Sequence, residues 1–358
     1  MAPGSKPAAG KKPVGLKAIA QHVGLSTAAV SRVLSGSPAA RSIPAATQQK
    51  IVDAARLLEY RPNLAARSLR NRRSYTIGVM VPEVSEGYAS TVLSGIESRL
   101  MEADYFYFVV SHRHRPELIT RYQHLLQGRA VEGLIAVDTP LDSKLPIPTV
   151  AVSGHHEPPG VANIVLNHRR AASLAIDHLH GLRHRRIAFI QGQEFSSDTR
   201  PRWKAIRAAA SQAGLALDPE LIMQLHGDAP THQPGYIATQ RLLATRATQA
   251  PAHRFTALFA FNDISAIGAI RALREAGLRV PEDVSVVGFD DISSAAFQNP
   301  GLTTVRQPLE QMGVLAAETV LREIQAQVQP GDEQEPRPTH HIVESELIIR
   351  GSTGPVRR

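Results

Sequence analysis

The sequence predicts an α/β protein: an N-terminal all-α helix-turn-helix domain followed by a two-lobed body built on parallel sheets. Three observations lead there. Apolar residues recur at helical spacing up to about residue 60, short apolar runs alternate with amphipathic helices after residue 73, and the positive charge is gathered at one end. Residues 1–75 hold 13 Lys and Arg against two acidic side chains, a formal +11, while the remainder carries 27 basic and 30 acidic residues, a formal −3. A basic module ahead of a near-neutral body is the footprint of a polyanion binder, because each neutralised phosphate releases condensed counterions.

Residues 1–13 form a basic tail rich in Pro, Gly, Ala and Lys, with almost nothing to bury, and are expected to be disordered. The helix-turn-helix domain is expected over 14–60. Its first helix carries Leu16, Ile19, Ala20 and Val23, Gly24 permits the positive φ of a tight turn, and Ser26 can cap a second helix carrying Ala29, Val30, Val33 and Leu34. Residues 38–44 read as a loop. A third helix over 45–59 presents Ile51, Ala54, Ala55, Leu57 and Leu58, and ends before Arg61-Pro62 because a residue preceding proline avoids the α region. Residues 61–73 read as a hinge or linker. Asn63 can cap a two-turn helix there with Ala66 and Leu69 on one side and arginines on the other, too short to persist without a partner. The alternative is an ordinary basic linker.

The body is expected over 74–350, with 351–358 as a tail. Strands are expected at 76–81, 105–110, 133–137, 149–152, 186–190, 257–261 and 285–289, and helices at 88–103, 115–129, 169–179, 203–214, 235–246, 265–276 and 309–327. So many units exceed one comfortable doubly wound sheet, which predicts two similar lobes with a cleft between them.

Composition narrows the function. The chain has no cysteine, which removes disulfides, thiolate metal sites and cysteine nucleophiles and fits a reducing cytoplasm. The basic N-terminus lacks the apolar stretch of a secretory signal, and no segment approaches 18 uninterrupted apolar residues, so neither export nor membrane spanning is expected. The pairs His112/His114, His155/His156, His178/His180 and His340/His341 come without a carboxylate set at known ligand spacing, so no metal site is expected. No Ser/His/Asp arrangement, phosphate loop or close acid pair stands out, and neither catalysis nor a cofactor is expected.

In the helix-turn-helix, the N-terminal residues of the second helix would lie at base edges in the major groove, with Thr27, Ala28 and Arg32 as exposed candidates. Further motifs extend the reading. They are Ile19-Ala20-Gln21-His22-Val23-Gly24-Leu25-Ser26 running into Val30-Ser31-Arg32-Val33-Leu34, Tyr60-Arg61-Pro62-Asn63, Thr76-Ile77-Gly78-Val79, Phe261-Asn262-Asp263, Val284-Ser285-Val286-Val287-Gly288-Phe289-Asp290-Asp291, and Leu302-Thr303-Thr304-Val305. In this order, over residues 14–350, they resemble the lactose-repressor/galactose-repressor (LacI/GalR) family of bacterial transcription regulators.

The resemblance implies a DNA-binding head, a minor-groove hinge helix, and a body like periplasmic sugar-binding proteins that dimerises and closes on a small effector. Carried over by position, Thr27, Ala28, Ser31 and Arg32 read bases, and Asn63, Ala66 and Leu69 belong to the hinge, with Leu69 as the wedge that unstacks a base step. Tyr88, Asn167, Arg202, Asn262, Asp263 and Asp290 fall at effector-binding positions. Several positions depart from the family pattern: Asn167-His168 replace a usual Asp-Asn, Ser153 a usual Asp, and Glu86-Gly87-Tyr88-Ala89 a usual aromatic loop. An aromatic expected after Gly227-Asp228 is absent, and three extra residues lie between Leu34 and Thr47.

The resulting expectation is an operator-binding regulator, most simply a repressor, controlled by a sugar or sugar derivative. The run His112-Arg113-His114-Arg115, and the loss of two carboxylates at Asn167 and Ser153, suggest an acidic effector; the alternative is a solvated rim. A dimer rather than a tetramer is expected, since paired half-sites need two-fold symmetry and no heptad leucines follow Ile349. The alternatives from other classes are a sugar-binding protein or a sugar-modifying enzyme with a basic N-terminal appendage.

Overall fold

A computed structural model describes residues 14–60, 73–85, 87–143, 145–154, 158–227, 231–328 and 340–357. The chain divides into two units, Met1–Ser74 and Tyr75–Arg358. In the first, α1 (Leu16–Val23) ends at Gly24, whose φ of 69° only glycine adopts without strain, and the Ser26 hydroxyl caps α2 (Thr27–Leu34) by accepting from the Ala29 N–H at 3.1 Å. Together with α3 (Ala45–Leu57) these helices enclose a core of Ile19, Ala20, Val30, Ile51, Ala54 and Ala55.

Two expectations change here. The segment 38–44 is not a bare loop: a 3₁₀ turn at Pro38–Ser42 buries Ala40, and the Gln48 amide donates to the carbonyls of Ala40 (3.0 Å) and Ile43 (2.8 Å). The inserted residues therefore have their own structure. Leu57 is 71% exposed rather than in the core, because Ile51, Ala54, Ala55 and Leu58 form one i, i+3, i+4, i+7 stripe and Leu57 lies off it.

In the second unit the strands in chain order are β1 (Thr76–Val81), β2 (Phe106–Ser111), β3 (Gly133–Val137), β4 (Thr149–Val152), β5 (Ala162–Leu166) and β6 (Ile187–Gln191), then β7 (Ile222–Gln224), β8 (Ala257–Phe259), β9 (Ser285–Asp290), β10 (Thr303–Arg306), β11 (His340–Val343) and β12 (Glu346–Ile348). Among the described residues they form two six-stranded sheets, ordered β11-β5-β4-β3-β1-β2 and β12-β10-β9-β8-β6-β7. All pairs are parallel except β10 with β12. The helices are α4 (Tyr88–Glu102), α5 (Pro116–Gly128), α6 (His168–Gly181), α7 (Thr199–Gln212), α8 (Gln233–Thr248), α9 (Asp263–Glu275), α10 (Ser293–Phe297) and α11 (Leu309–Val328).

Strand residues alternate between cores on the two faces of a sheet. Ile77, Val79 and Val81 of β1 join the core that also holds residues of α4 and α11, whereas Met80 packs with Ile119 and Leu126 of α5. The chain passes between the lobes after β5, after β10 and between β11 and β12. Strands β5, β7, β10, β11 and β12 were not expected as strands. They are three to five residues long, and β10 and β11 read Thr-Thr-Val-Arg and His-His-Ile-Val, too short and polar for the apolar-run criterion.

Small residues set two helix crossings. A Cβ on Gly95 of α4 would overlap the Glu310 carbonyl of α11, and one on Gly313 of α11 would overlap the Val92 carbonyl of α4. The second lobe repeats the device, with Gly235 of α8 against Ser265 and Gly268 of α9 against His232. The residues expected as a tail are instead built into this lobe. Ser352 accepts from the Val286 N–H (2.8 Å) and donates to the Val286 carbonyl (2.6 Å), and the Val356 N–H reaches the Leu182 carbonyl (3.1 Å).

Candidate functional site

On α2 the side chains of Thr27, Ala28 and Arg32 are exposed and Ser31 is half-buried, while Val30 on the opposite side is in the core. The first turn of this helix and Arg32 one turn later thus share one solvent-facing surface, the arrangement that a base-reading helix needs. Asn63, Ala66 and Leu69 lie outside the described residues.

The body has a cleft of about 780 Å³, open to solvent, at the carboxyl ends of both sets of parallel strands. Lobe 1 contributes Glu83 after β1, Tyr88 at the start of α4, His114 after β2 and Asp138 after β3. Lobe 2 contributes Phe195 and Asp198 after β6, Arg202 on α7, Phe261 and Asn262 after β8, and Asp290 at the end of β9. This is where open α/β sheets carry their ligands. Two of the lining residues at strand ends, Asp138 (39°) and Asp290 (112°), adopt positive φ.

Arg202 is the centre of the lobe 2 wall and is 3% exposed. Its guanidinium donates to the Phe261 carbonyl (2.7 Å) and to Asp198 (3.0 Å), and lies over the rings of Phe289 and Phe261 at 3.8 and 4.5 Å. Asp198 also meets His168 Nε2 at 3.1 Å. Asp290 accepts from the Gln307 amide at 2.6 Å, and burial pushes its carboxyl up to about 7 although Arg202 pulls the other way. The lobes touch across the cleft. Asp138 accepts from the Ser197 hydroxyl (2.6 Å) and N–H (3.0 Å), the Ser197 hydroxyl also contacts the Ser153 carbonyl, and the His114 ring stacks on Phe195 at 3.9 Å. Burial and then the neighbouring Asp198 raise the Asp138 carboxyl. Tyr88 donates to Ser153 at 2.5 Å, and burial holds its phenol neutral well above its ordinary range.

Of the sequence-derived effector residues, Tyr88, Arg202, Asn262 and Asp290 line the cleft. Asn262 also forms a reciprocal cap with Ser265 on α9. Two do not. Asn167 caps α6 through the Arg170 N–H and donates to Glu344 at 3.0 Å, so its side chain serves the crossing between the lobes. Asp263 is fully buried, accepting from Thr304 (2.6 Å) and the Ile292 N–H (2.9 Å), and joins α9 to β10. The basic run fares likewise: only His114 reaches the cleft, Arg113 is exposed away from its lining, and His112 is buried. With carboxylates outnumbering cations on the wall, the acidic-effector expectation is not supported. Asp138, Phe195 and Asp198 were missed; Asp138 directly follows β3 and the other two lie in the loop after β6, so position after a strand's carboxyl end was the signal that could have found them.

His112 shows how the other histidines are spent. Its Nε2–H donates to Thr139 Oγ1 (2.9 Å), whose own hydrogen goes to the Val137 carbonyl, and its Nδ1 accepts from the His114 N–H (3.1 Å). Both ring nitrogens are used in the neutral form, and burial lowers the ring from 6.5 to about 4. A depressed histidine contributes stability that is present above 6.5 and lost as pH falls towards 4, because only the unfolded chain takes up the proton in that window. We expect the stability difference between the protein and His112→Gln to shrink by on the order of 3 kcal/mol from pH 7 to 4. Thermal melts at half-unit pH steps check this, and parallel curves would refute it. Among the described residues no group of three or more His, Asp or Glu is placed to hold a metal ion, and no helix is long and apolar enough to cross a membrane.

Comparison with known proteins extends the picture. Residues 15–63 match the family described as bacterial regulatory proteins, lacI family, and residues 176–353 match the periplasmic binding protein-like domain. The chain is 31% identical over 317 residues to the HTH-type transcriptional repressor PurR of Aliivibrio fischeri (strain MJ11), covering 86% of this chain and 91% of that protein. Its fold is similar to the lac repressor dimer bound to operator and the anti-inducer ONPF, with TM-score 0.83, 26% identity and coverage of 96% and 100% of the two chains. It is also similar to the CelR–cellobiose complex, with TM-score 0.67, 27% identity and coverage of 95% and 99%.

Proposed function

The chain belongs to the lacI family of bacterial regulatory proteins, and from that premise, which makes it a DNA-binding transcriptional repressor with a ligand-binding body, we propose that it acts in the cytoplasm as a homodimer released from or recruited to a two-fold operator by a sugar or sugar derivative held between the lobes. The observation that carries the effector assignment is the cleft itself, where Tyr88, Arg202, Asn262 and Asp290 present an aromatic ring, donors and a carboxylate at the strand ends. The cellobiose bound to the similar CelR supports a carbohydrate, and the operator-bound lac repressor dimer supports both DNA and two-fold symmetry.

Thr27, Ala28, Ser31 and Arg32 are assigned to the major groove and Asn63, Ala66 and Leu69 to the minor groove. A gel shift with the gene's own upstream region, repeated with a panel of sugars, tests the whole reading: a specific complex whose midpoint one sugar moves is expected, and a complex indifferent to every sugar would sink the effector assignment. Arg32→Ala should cost about 1–3 kcal/mol on the cognate site and much less on random duplex. Equal losses on both would remove its base-reading role. Light scattering at micromolar concentration should give two chains per particle; four would contradict the dimer.

A further inference from the structure

We propose, building on the reading of the cleft as an effector site, that the effector carries a protonated nitrogen: an amine-bearing polyol of the amino-sugar class rather than a neutral or acidic sugar.

The charge on the wall is the first argument. Glu83, Asp138, Asp198 and Asp290 all line the cleft, and among the described lining residues Arg202 is the one guanidinium and there is no lysine. That guanidinium is already committed to Asp198 and to the Phe261 carbonyl, with aromatic rings at 3.8 and 4.5 Å. It therefore balances Asp198, which His168 also faces, and Glu83 has His114 beside it at 3.7 Å. Among the described residues, Asp138 and Asp290 are thus the lining acids with hydrogen-bond donors but no ion-pair partner. A carboxylate or phosphate on the ligand would be repelled, and a hydroxyl would leave these two carboxyls to shed their charge by taking up protons, the direction in which burial already pushes them. An ammonium supplies both the counter-charge and charge-assisted hydrogen bonds.

Asp290 supplies the second argument. It is 5% exposed and receives one described side-chain donor, Gln307. A cation beside it would stabilise the ionised carboxylate that burial now disfavours. The third argument is the corner formed by Glu83 and Phe195. The His114 ring lies there, stacked on Phe195 at 3.9 Å and 28° with its Nε2 3.7 Å from the Glu83 carboxylate. An aromatic face beside a carboxylate already holds one nitrogen-bearing group, and the same pair suits a ligand's ammonium, which gains from the ring face as well as from the carboxylate.

The test is isothermal titration of the full chain at pH 7.5 with the amino, neutral and acidic forms of glucose and of galactose. Within at least one triplet the amine should bind about tenfold more tightly than its neutral parent, with the acid weakest. Asp290→Asn, which keeps an oxygen for Gln307, and Glu83→Gln should each narrow that preference, read as the ratio of amine to neutral affinity within the same variant, whatever either does to the neutral sugar's own affinity. A neutral or acidic form that binds as tightly as the amine overturns the proposal while leaving the effector reading in place. Absence of heat from all six compounds counts against the carbohydrate reading itself, and the inference falls with it; the two failures are told apart by whether the neutral sugar binds.

Discussion

Gly313→Leu is expected to leave the body unable to fold. The Gly313 Cα faces the Val92 carbonyl so closely that any Cβ would overlap it, and on the other helix Gly95 faces the Glu310 carbonyl in the same way. The atoms in the way are backbone, so they yield only if α11 moves off α4. These helices bury Val92, Ile96, Met312, Ala316 and Val320 together, and separating them would open the core of lobe 1. Overpacking against a flexible side chain typically costs 1–3 kcal/mol, and here the cost should exceed about 3 kcal/mol, a large share of the stability of a domain this size. Trp203, the one tryptophan of the chain, lies in the body with its ring 5.7 Å from that of Phe189. Its fluorescence therefore reports on the body alone, and it should shift to that of an exposed indole in Gly313→Leu. The control is Gly181→Ala, where a Cβ meets nothing within 4 Å and stability should be unchanged or slightly raised. A Gly313→Leu protein that melts with the wild type would show that the helix crossing is far looser than described.

Arg202→Met should be the next most damaging change. It removes the guanidinium from beside buried Asp198, leaving His168 next to that carboxylate, and removes the donor from the Phe261 carbonyl; breaking a buried ion pair costs about 3–5 kcal/mol. The aromatic sandwich of Phe261 and Phe289 would still accept the apolar methionine, so packing is largely kept and the loss is electrostatic. Pairing Arg202→Met with Asp198→Asn should recover much of that stability while the effector no longer shifts operator binding. Such a cycle separates the guanidinium's structural work from its part in the site. If the single variant were as stable as the parent, the buried pair would not be what holds this wall.

Much of the fold could be read from periodicity, because an amphipathic helix or a strand buried on both faces writes its surroundings into its own residues. The three helices of the head and the central strands β1, β3, β4 and β9 are of this kind. Edge strands are not: His340–Val343 is a strand only because β5 lies beside it, and nothing local in His-His-Ile-Val says so. The cleft divides in the same way. Arg202 and Asp290 could be placed by resemblance, whereas Asp138 gains its meaning from Ser197, 59 residues away, and Asp198 from His168, 30 residues away. Asn167 and Asp263 misled for the converse reason: both sit at helix starts next to the cleft, but one caps α6 and reaches Glu344, and the other is turned inward to Thr304. The basic run failed because alternation along one turn sends successive side chains to different places, His112 inward, Arg113 to solvent and His114 to the cleft.

The crossings between the lobes also bear on how the protein is made. A ribosome delivers the chain from its N-terminus, and every residue of the head's core has been supplied once Tyr60 has emerged. Lobe 1 must wait for β11 at His340–Val343 to cover the edge of β5, and lobe 2 for β12 and for Ser352 to cover β10 and the end of Val286. Until then both sheets present open edges of the kind that pair with other chains. A transcript cut short at its 3′ end would therefore yield a finished head joined to two unfinished lobes. In a growing chain, control by an effector is the last property to be installed.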